Sequence, residues 1–285
     1  MSVDLDASYR RCEQLAKSHY ENFTVGSVFL PRGTARHVYA MYAFARTTDD
    51  LGDEAQGDRP SLLNAWQRDL ERDEPEHPIL PAVKDTMRTF DMPAEPLLKL
   101  IDANRMDQKT TRYRTFKDLA FYCDHSANPC GRMLLYVFGV RDEDSMRLSD
   151  ATCTALQLTN FWQDVSIDFL KGRVYIPQDD LVRAGVTEDD LARGTVDDRW
   201  RKLMAFEIER TRGLFDTGLP LADRLAGRAK FDVRLFSMGG MRILDLIEKA
   251  DYDVFRRRPK LTKPGKAWLA FKSLLGTKPK AAKRS

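Results

Sequence analysis

Two polar stripes set about 115 positions apart restrict this chain more than any other feature. They are Tyr42, Arg46, Asp49 and Asp53, and then Gln157, Asn160, Asp164 and Asp168. Steps of 4, 3, 4 and of 3, 4, 4 put each quartet on one face of a helix. Both stripes run through apolar sequence, Met41 to Ala45 around the first and Leu156 to Phe169 around the second, so both faces are predicted to turn inward. The arrangement is costly, because Asp is a mediocre helix former and two Asp at i, i+4 repel by about 0.2–0.5 kcal/mol even on an exposed helix. A solvated helix end at Asp49, Asp50, Asp53 and Glu54 is the plain alternative for one stripe taken alone. Two stripes, with Gln157 and Asn160 adding neutral oxygens before Asp164, point instead to carboxylate walls opposed across a shared core. Such walls suit Mg²⁺, a hard cation that binds through a few carboxylates plus the phosphates of a substrate.

Helical patterning covers almost the whole chain, and period-two alternation is nearly absent. Asp6 or Ser8 can cap a first helix reaching about Tyr20, and Pro31 can open a second running to about Gly52. Further helices are predicted over 60–73, 78–90, 93–107, 115–138, 145–170, 196–217 and 221–250, with an extended stretch at 171–177. The expectation is an all-α fold with one domain over 1–255 and a separate tail over 256–285. At 285 residues and 42% hydrophobic content the chain can bury a sizeable core. A net charge of +3 from 46 basic and 43 acidic residues gives no argument for nucleic acid. Cys12, Cys123, Cys130 and Cys153 form no CxxC pair, which fits a reducing compartment. The N-terminus lacks the apolar run of a secretory signal, and no stretch reaches 18 uncharged apolar residues, so a cytoplasmic location is expected.

The tail differs in character. Residues 256–285 carry eleven Lys or Arg and no acid, interleaved with Trp268, Leu269, Phe271, Leu274 and Leu275, with Lys266 and Lys272 flanking them. Two readings stand side by side: an ordinary solvated terminus, and a basic amphipathic segment lying on the inner face of the cytoplasmic membrane.

Tyr42-Ala-Phe-Ala-Arg-Thr-Thr-Asp-Asp-Leu-Gly-Asp53 and Gln157-Leu-Thr-Asn-Phe-Trp-Gln-Asp-Val-Ser-Ile-Asp168 resemble the two aspartate-rich motifs of the squalene and phytoene synthase family. Phe29-Leu-Pro31, Asp107 with Arg112-Tyr113, Tyr122-Cys123 and Lys171-Gly-Arg-Val-Tyr-Ile-Pro177 match its other landmarks in order, so the likeness covers about residues 8–260. The resemblance implies an isoprenoid synthase helical bundle around a central cavity. It implies that Asp49, Asp53, Asp164 and Asp168, with Asn160, hold Mg²⁺ against a prenyl diphosphate. Tyr42, Arg46, Gln157, Arg173 and Tyr252 would line the substrate, with the 256–258 arginine run closing the far end of the site.

Three departures narrow the branch. Gln163 stands where many relatives carry Arg, Ser126-Ala127-Asn128-Pro129 replaces a Val-Ala-Gly segment after the Tyr-Cys pair, and Tyr20-Glu21-Asn22 replaces a Ser and Lys that hold diphosphate. The combination resembles the bacterial hydroxysqualene synthases of the hopanoid route, which turn presqualene diphosphate and water into hydroxysqualene with no NADPH. Asn128, Gln163 and Tyr122 are candidates to position the capturing water. The alternatives are condensation of two farnesyl diphosphates to presqualene diphosphate or squalene, and a non-catalytic, membrane-associated assembly factor of the same fold; contacts with neighbouring pathway enzymes fit any of the three. His19, His37, His77 and His125 form no Glu-x-x-His pair, so a di-iron bundle is not supported.

Overall fold

The computed structural model describes residues 4–18 and 32–262, with Gly265, Trp268, Leu269 and Ser273. The expectations placed on His19, Tyr20-Glu21-Asn22, Phe29-Leu-Pro31, Lys266, Phe271, Lys272, Leu274 and Leu275 lie outside the described residues.

Regular structure among the described residues is helical. In order the helices are α1 (Leu5–Ser18), α2 (Arg32–Asp49), α3 (Arg59–Glu71), α4 (Leu80–Thr89), α5 (Glu95–Asp107), α6 (Phe116–Ser126) and α7 (Asn128–Val137). They continue as α8 (Glu143–Gln163), α9 (Val165–Leu170), α10 (Gln178–Ala184), α11 (Glu188–Arg193), α12 (Asp198–Gly218), α13 (Leu221–Arg224) and α14 (Gly227–Lys249). A π-helical turn, Asp50–Glu54, extends α2. The described residues contain no strand. Their one extended pairing is an isolated parallel bridge between Arg112 and Val174, inside the stretch predicted to be extended. Two compact units result, Met1–Lys109 with Asp124–Met146, and Thr110–Cys123 with Arg147–Ser285. Both subdivide the span that the sequence assigns to one domain.

In the first unit the middle of α2, Val38 to Phe44, is apolar all round, as the centre of a buried helix must be. Val38, Ala40, Met41, Ala43 and Phe44 are all buried, and the helix packs on α1, α4, α5 and α7. Leu63, Trp66, Leu80, Val83, Leu97, Ile101 and Met133 complete that core, each contributing about 1.5–3 kcal/mol by leaving water. Thr48 on α2 gives its hydroxyl to the Phe44 carbonyl and accepts the Trp66 indole N–H at 2.9 Å. His37 is structural, its Nδ1 lying 3.0 Å from the Tyr9 hydroxyl and 2.9 Å from that of Thr86.

The second unit is built on close helix approach. A Cβ at Gly218 of α12 would lie 2.1 Å from the Thr152 hydroxyl of α8, and one at Gly240 of α14 would lie 2.4 Å from the Phe215 ring of α12. Trp162, fully buried, donates its indole N–H to Thr211 at 2.8 Å.

Local chemistry explains where the helices depart from their predicted spans. The helix expected over 115–138 breaks at Ala127, because Pro129 has no N–H to donate and restricts the residue before it. The helix expected over 145–170 breaks at Asp164 (φ −109°, ψ 15°), and the one over 221–250 is interrupted between α13 and α14. Helices α10 and α11 were not anticipated, although their signals are present. Thr187 and Asp190 form a capping box, and Gly185 and Gly194 end the two helices at φ 68° and 62°. The tail is not uniformly free: Leu269 is buried and the Ser273 hydroxyl donates to the Phe231 carbonyl at 3.0 Å, while Trp268 stays 53% exposed. The four cysteines are free thiols. No helix among the described residues is long and apolar enough to cross a membrane.

Candidate active site

The first acidic motif belongs to the first unit. Asp49 ends α2, and the π turn that follows it changes the register by which Asp53 is reached. Asp49 is open to solvent yet crowded by protein atoms. That desolvation, with the nearby charge of Asp53, pushes its carboxyl up to about 6 against the pull of Asn104 and Arg46. The Asn104 amide donates to Asp49 Oδ1 at 3.3 Å and to the Leu100 carbonyl at 3.1 Å. Gly52 makes room for it, since a Cβ there would sit 2.1 Å from Asn104 Oδ1. Gln108, which caps the C-terminus of α5, donates to the Gly52 carbonyl at 3.0 Å and so buttresses the π turn. Arg46 donates through Nη2 to Asp50 at 2.5 Å, while its Nε–H is buried with no hydrogen-bond partner. Tyr42 is half-buried, and burial raises its hydroxyl pKa.

The second motif belongs to the second unit. Asp164 caps α9, and hydrogen bonds from Asp164 N to the Asn160 carbonyl and from Asp168 N to the Asp164 carbonyl, both 2.9 Å, carry the helical spacing through the break. Gln157 is half-buried and Asn160 exposed. Burial and the Asp164 charge push Asp168 up to about 6, opposed by Lys171, Arg173 and Arg258. Arg173 reaches this position because its N–H bonds the Asp168 carbonyl at 2.8 Å after a turn through Gly172 (φ 78°). Arg112 holds that turn. It donates to the Gly172 carbonyl at 2.6 Å and forks onto Glu188 at 2.6 and 2.8 Å. Tyr122 is buried in an aromatic cluster with Tyr113, Tyr175 and Phe161, in which Phe161 and Tyr175 stack at 3.7 Å.

Other predicted residues are placed differently. Gln163 is buried, with its amide nitrogen on the Pro259 carbonyl and its oxygen accepting from Arg258 at 3.2 Å, so its amide ties the second motif to the C-terminal segment. Arg258 also forks onto Asp164, with Nη2 to Oδ2 at 2.9 Å and Nε to Oδ1. Asn128, at the start of α7, donates to Asp124 at 3.5 Å, and Asp124 pairs with Lys99 at 2.8 Å. Tyr252 follows α14 at φ 62°, an uncommon conformation for a non-glycine residue; the charges acting on its hydroxyl are Glu248, Arg212 and Asp251. Among the described residues no three carboxylate, imidazole or thiol groups converge as a ready-made cage. A groove of about 450 Å³ lined by Leu70, Met87, Met92 and Leu98 contains none of the predicted residues.

Asn104 is the site residue that sequence reasoning missed; Arg258 lies in the arginine run expected to close the site, but its pairing with Asp164 was not anticipated. Gly52 inside an acidic motif was the one local hint of the first, and the motif's neutral Gln163 was the hint of the second.

A profile described as squalene/phytoene synthase matches residues 16–264. The chain belongs to the squalene/phytoene synthase family. A 15-cis-phytoene synthase of Synechococcus elongatus is 34% identical over 273 residues, covering 90% of this chain and 89% of that protein. Among solved structures, squalene synthase HpnC from Alicyclobacillus acidocaldarius is 42% identical, with a TM-score of 0.85 over 89% of this chain and 97% of that one. A dehydrosqualene synthase in complex with ligand shares the fold at a TM-score of 0.87 over 96% of this chain and 97% of that one, with 24% identity. The fold is therefore the all-α isoprenoid synthase fold, and the family's members act on prenyl diphosphates.

Proposed function

We propose that this chain converts presqualene diphosphate and water to hydroxysqualene and diphosphate, with Mg²⁺ and without NADPH. The observation that carries the reading is the second motif, Asn160-Phe-Trp-Gln163-Asp164, in which a neutral Gln163 stands where many relatives carry Arg. The 42% identity to a squalene synthase supports a squalene-type rather than a phytoene-type product. The residues fit the implied groups at each motif. Asp49 and Asp168 are carboxyls whose charged forms lack full compensation, and the Arg46 Nε–H lacks an acceptor, so a cation suits the first two and a phosphate oxygen the last.

Asp49 and Asp53 would hold Mg²⁺ at the first motif, and Asp164 and Asp168 with Asn160 at the second. When bound, the ion neutralises charge on the leaving diphosphate. Arg46 and Arg173 donate to diphosphate oxygens. The aromatic cluster of Tyr113, Tyr122, Tyr175 and Phe161 would supply rings to a developing cation, and one uncovered face attracts a cation by about 0.5–2 kcal/mol. Condensation of two farnesyl diphosphates is the second reading, favoured by the phytoene synthases among the relatives. Mass spectrometry after incubation with Mg²⁺ and no NADPH separates the two. Hydroxysqualene from presqualene diphosphate alone supports the proposal. Presqualene diphosphate from farnesyl diphosphate supports condensation instead, and no product from either substrate supports a non-catalytic role.

A further inference from the structure

We infer that Arg258 is an exchangeable cation. It neutralises Asp164 while no metal is bound, and it passes to the diphosphate when metal and substrate arrive. The inference rests on reading Asp164 as a metal ligand, and not on which product forms.

The geometry that carries it is a fork on the wrong partner. Arg258 occupies both carboxylate oxygens of Asp164 and adds a third bond to Gln163 Oε1 at 3.2 Å. Mg²⁺ takes a carboxylate oxygen at about 2.0–2.1 Å, so a metal on Asp164 competes with the guanidinium for the same two oxygens and repels its charge. The released guanidinium then lies beside an arriving diphosphate, for which planar bidentate donation is well suited. The exchange is cheap because the Arg258 side chain is 44% exposed and that of Asp164 22%, and a pair this open to solvent is worth about 0–1 kcal/mol.

The backbone around Arg258 is pinned, so the side chain can move alone. Ser166 donates to the Val254 carbonyl at 3.3 Å, Gln163 to that of Pro259, and Trp200 to that of Tyr252 at 2.9 Å. Asp253 accepts the backbone N–H groups of Phe255 and Arg256 at 3.2 and 3.0 Å. Gln163 thereby acquires a physical role. Its amide anchors the segment and accepts from Arg258, whereas an arginine at 163 would repel that guanidinium. A motif without its own arginine thus receives one from 94 residues away.

The test uses the full chain and two ligands, Mn²⁺ alone, followed by the spin signal of the free ion, and inorganic diphosphate with saturating Mn²⁺, followed by calorimetry. Arg258→Gln is expected to bind Mn²⁺ alone about threefold or more tightly than wild type, because a competitor is gone, and diphosphate about tenfold more weakly. Arg258→Lys should recover part of the diphosphate affinity, and Lys260→Gln, which removes a neighbouring exposed charge, should change neither. Opposite signs separate exchange from a structural role, which would weaken both. Equal affinities in wild type and Arg258→Gln, or a loss of both, overturn the inference while leaving the proposed reaction standing. A wild-type chain that binds neither ligand overturns the inference together with the metal-ligand reading.

Discussion

Glu207 on α12 gives a prediction whose sign and size follow from its surroundings. Its side chain is fully buried, and Arg210 one turn on approaches its oxygens at 3.1 and 3.4 Å. That guanidinium is shared: it also binds the buried Asp180 at 2.9 Å and lies over the rings of Phe116 and Phe206 at 4.2 and 4.4 Å. The two buried acids thus share Arg210, and Asp180 has a second partner in Arg183 at 2.8 Å. Desolvation, with Asp180 adding to it and Arg210 opposing, pushes Glu207 from 4.5 up to about 8. The folded chain therefore holds a proton that the unfolded chain releases above pH 4.5. Stability from this group is intact below pH 4.5 and is lost as pH rises toward 8, at about 1.4 kcal/mol per unit in mid-range. Between pH 5 and 7.5 the loss comes to about 3 kcal/mol. Glu207→Gln mimics the protonated form and does not titrate, so its melting temperature relative to wild type should rise across that interval by on the order of 6 °C. Scanning fluorimetry of both chains at several pH values reads this, because other titrating groups cancel in the difference. A difference that stays flat from pH 5 to 7.5 refutes the reasoning and means that Arg210 and Arg183 keep Glu207 ionised throughout.

Gly52→Ala should cost about 1–3 kcal/mol through overpacking against Asn104 and should lower turnover by displacing the donor to Asp49; adding Asn104→Ala should restore the melting temperature but not the turnover. Asp53→Asn and Asp164→Asn should leave the circular dichroism spectrum unchanged and reduce turnover at least about a hundredfold, and full activity in either would remove that residue from the site. Arg46→Lys keeps the charge but deletes the unpartnered Nε–H, so KM for the diphosphate substrate should rise about tenfold, with a smaller change in kcat.

What was legible in the sequence was what the chain expresses locally. The all-round apolar character of residues 38–44 marks α2 as central, and the 3- and 4-residue steps place the acids on helices. Less legible were points where one residue overrides a periodic pattern. Pro129 splits a run that reads as one helix, and Asp164 sits at a kink inside another. Least legible were contacts with no sequence period at all. Asn104 meets Asp49 across 55 positions and Arg258 meets Asp164 across 94, and nothing in the spacing of one residue announces the other. Gln163 shows the consequence: the sequence marks it as a departure from the family pattern, and its bonds to 258 and 259 have no signal in that pattern.

The two acidic motifs share a four-residue spacing, and in both the regular α-helix is interrupted at the acids. After Asp49 the helix widens into a π turn that carries Asp53; at Asp164 it kinks, yet the bonds into the Asn160 and Asp164 carbonyls persist. Each interruption gives up regular hydrogen-bond geometry that a plain helix would keep, and π turns of this kind gather at functional sites. The distortions are also buttressed from outside the motif, by Asn104 on α5 and Gln108 at its C-terminal end in the first unit and by Arg258 and the Pro259 carbonyl in the second. A solvated helix end has no use for such supports, since water satisfies its acids at no structural cost. The supported distortion, more than the count of carboxylates, is therefore what separates these aspartates from an ordinary charged helix terminus.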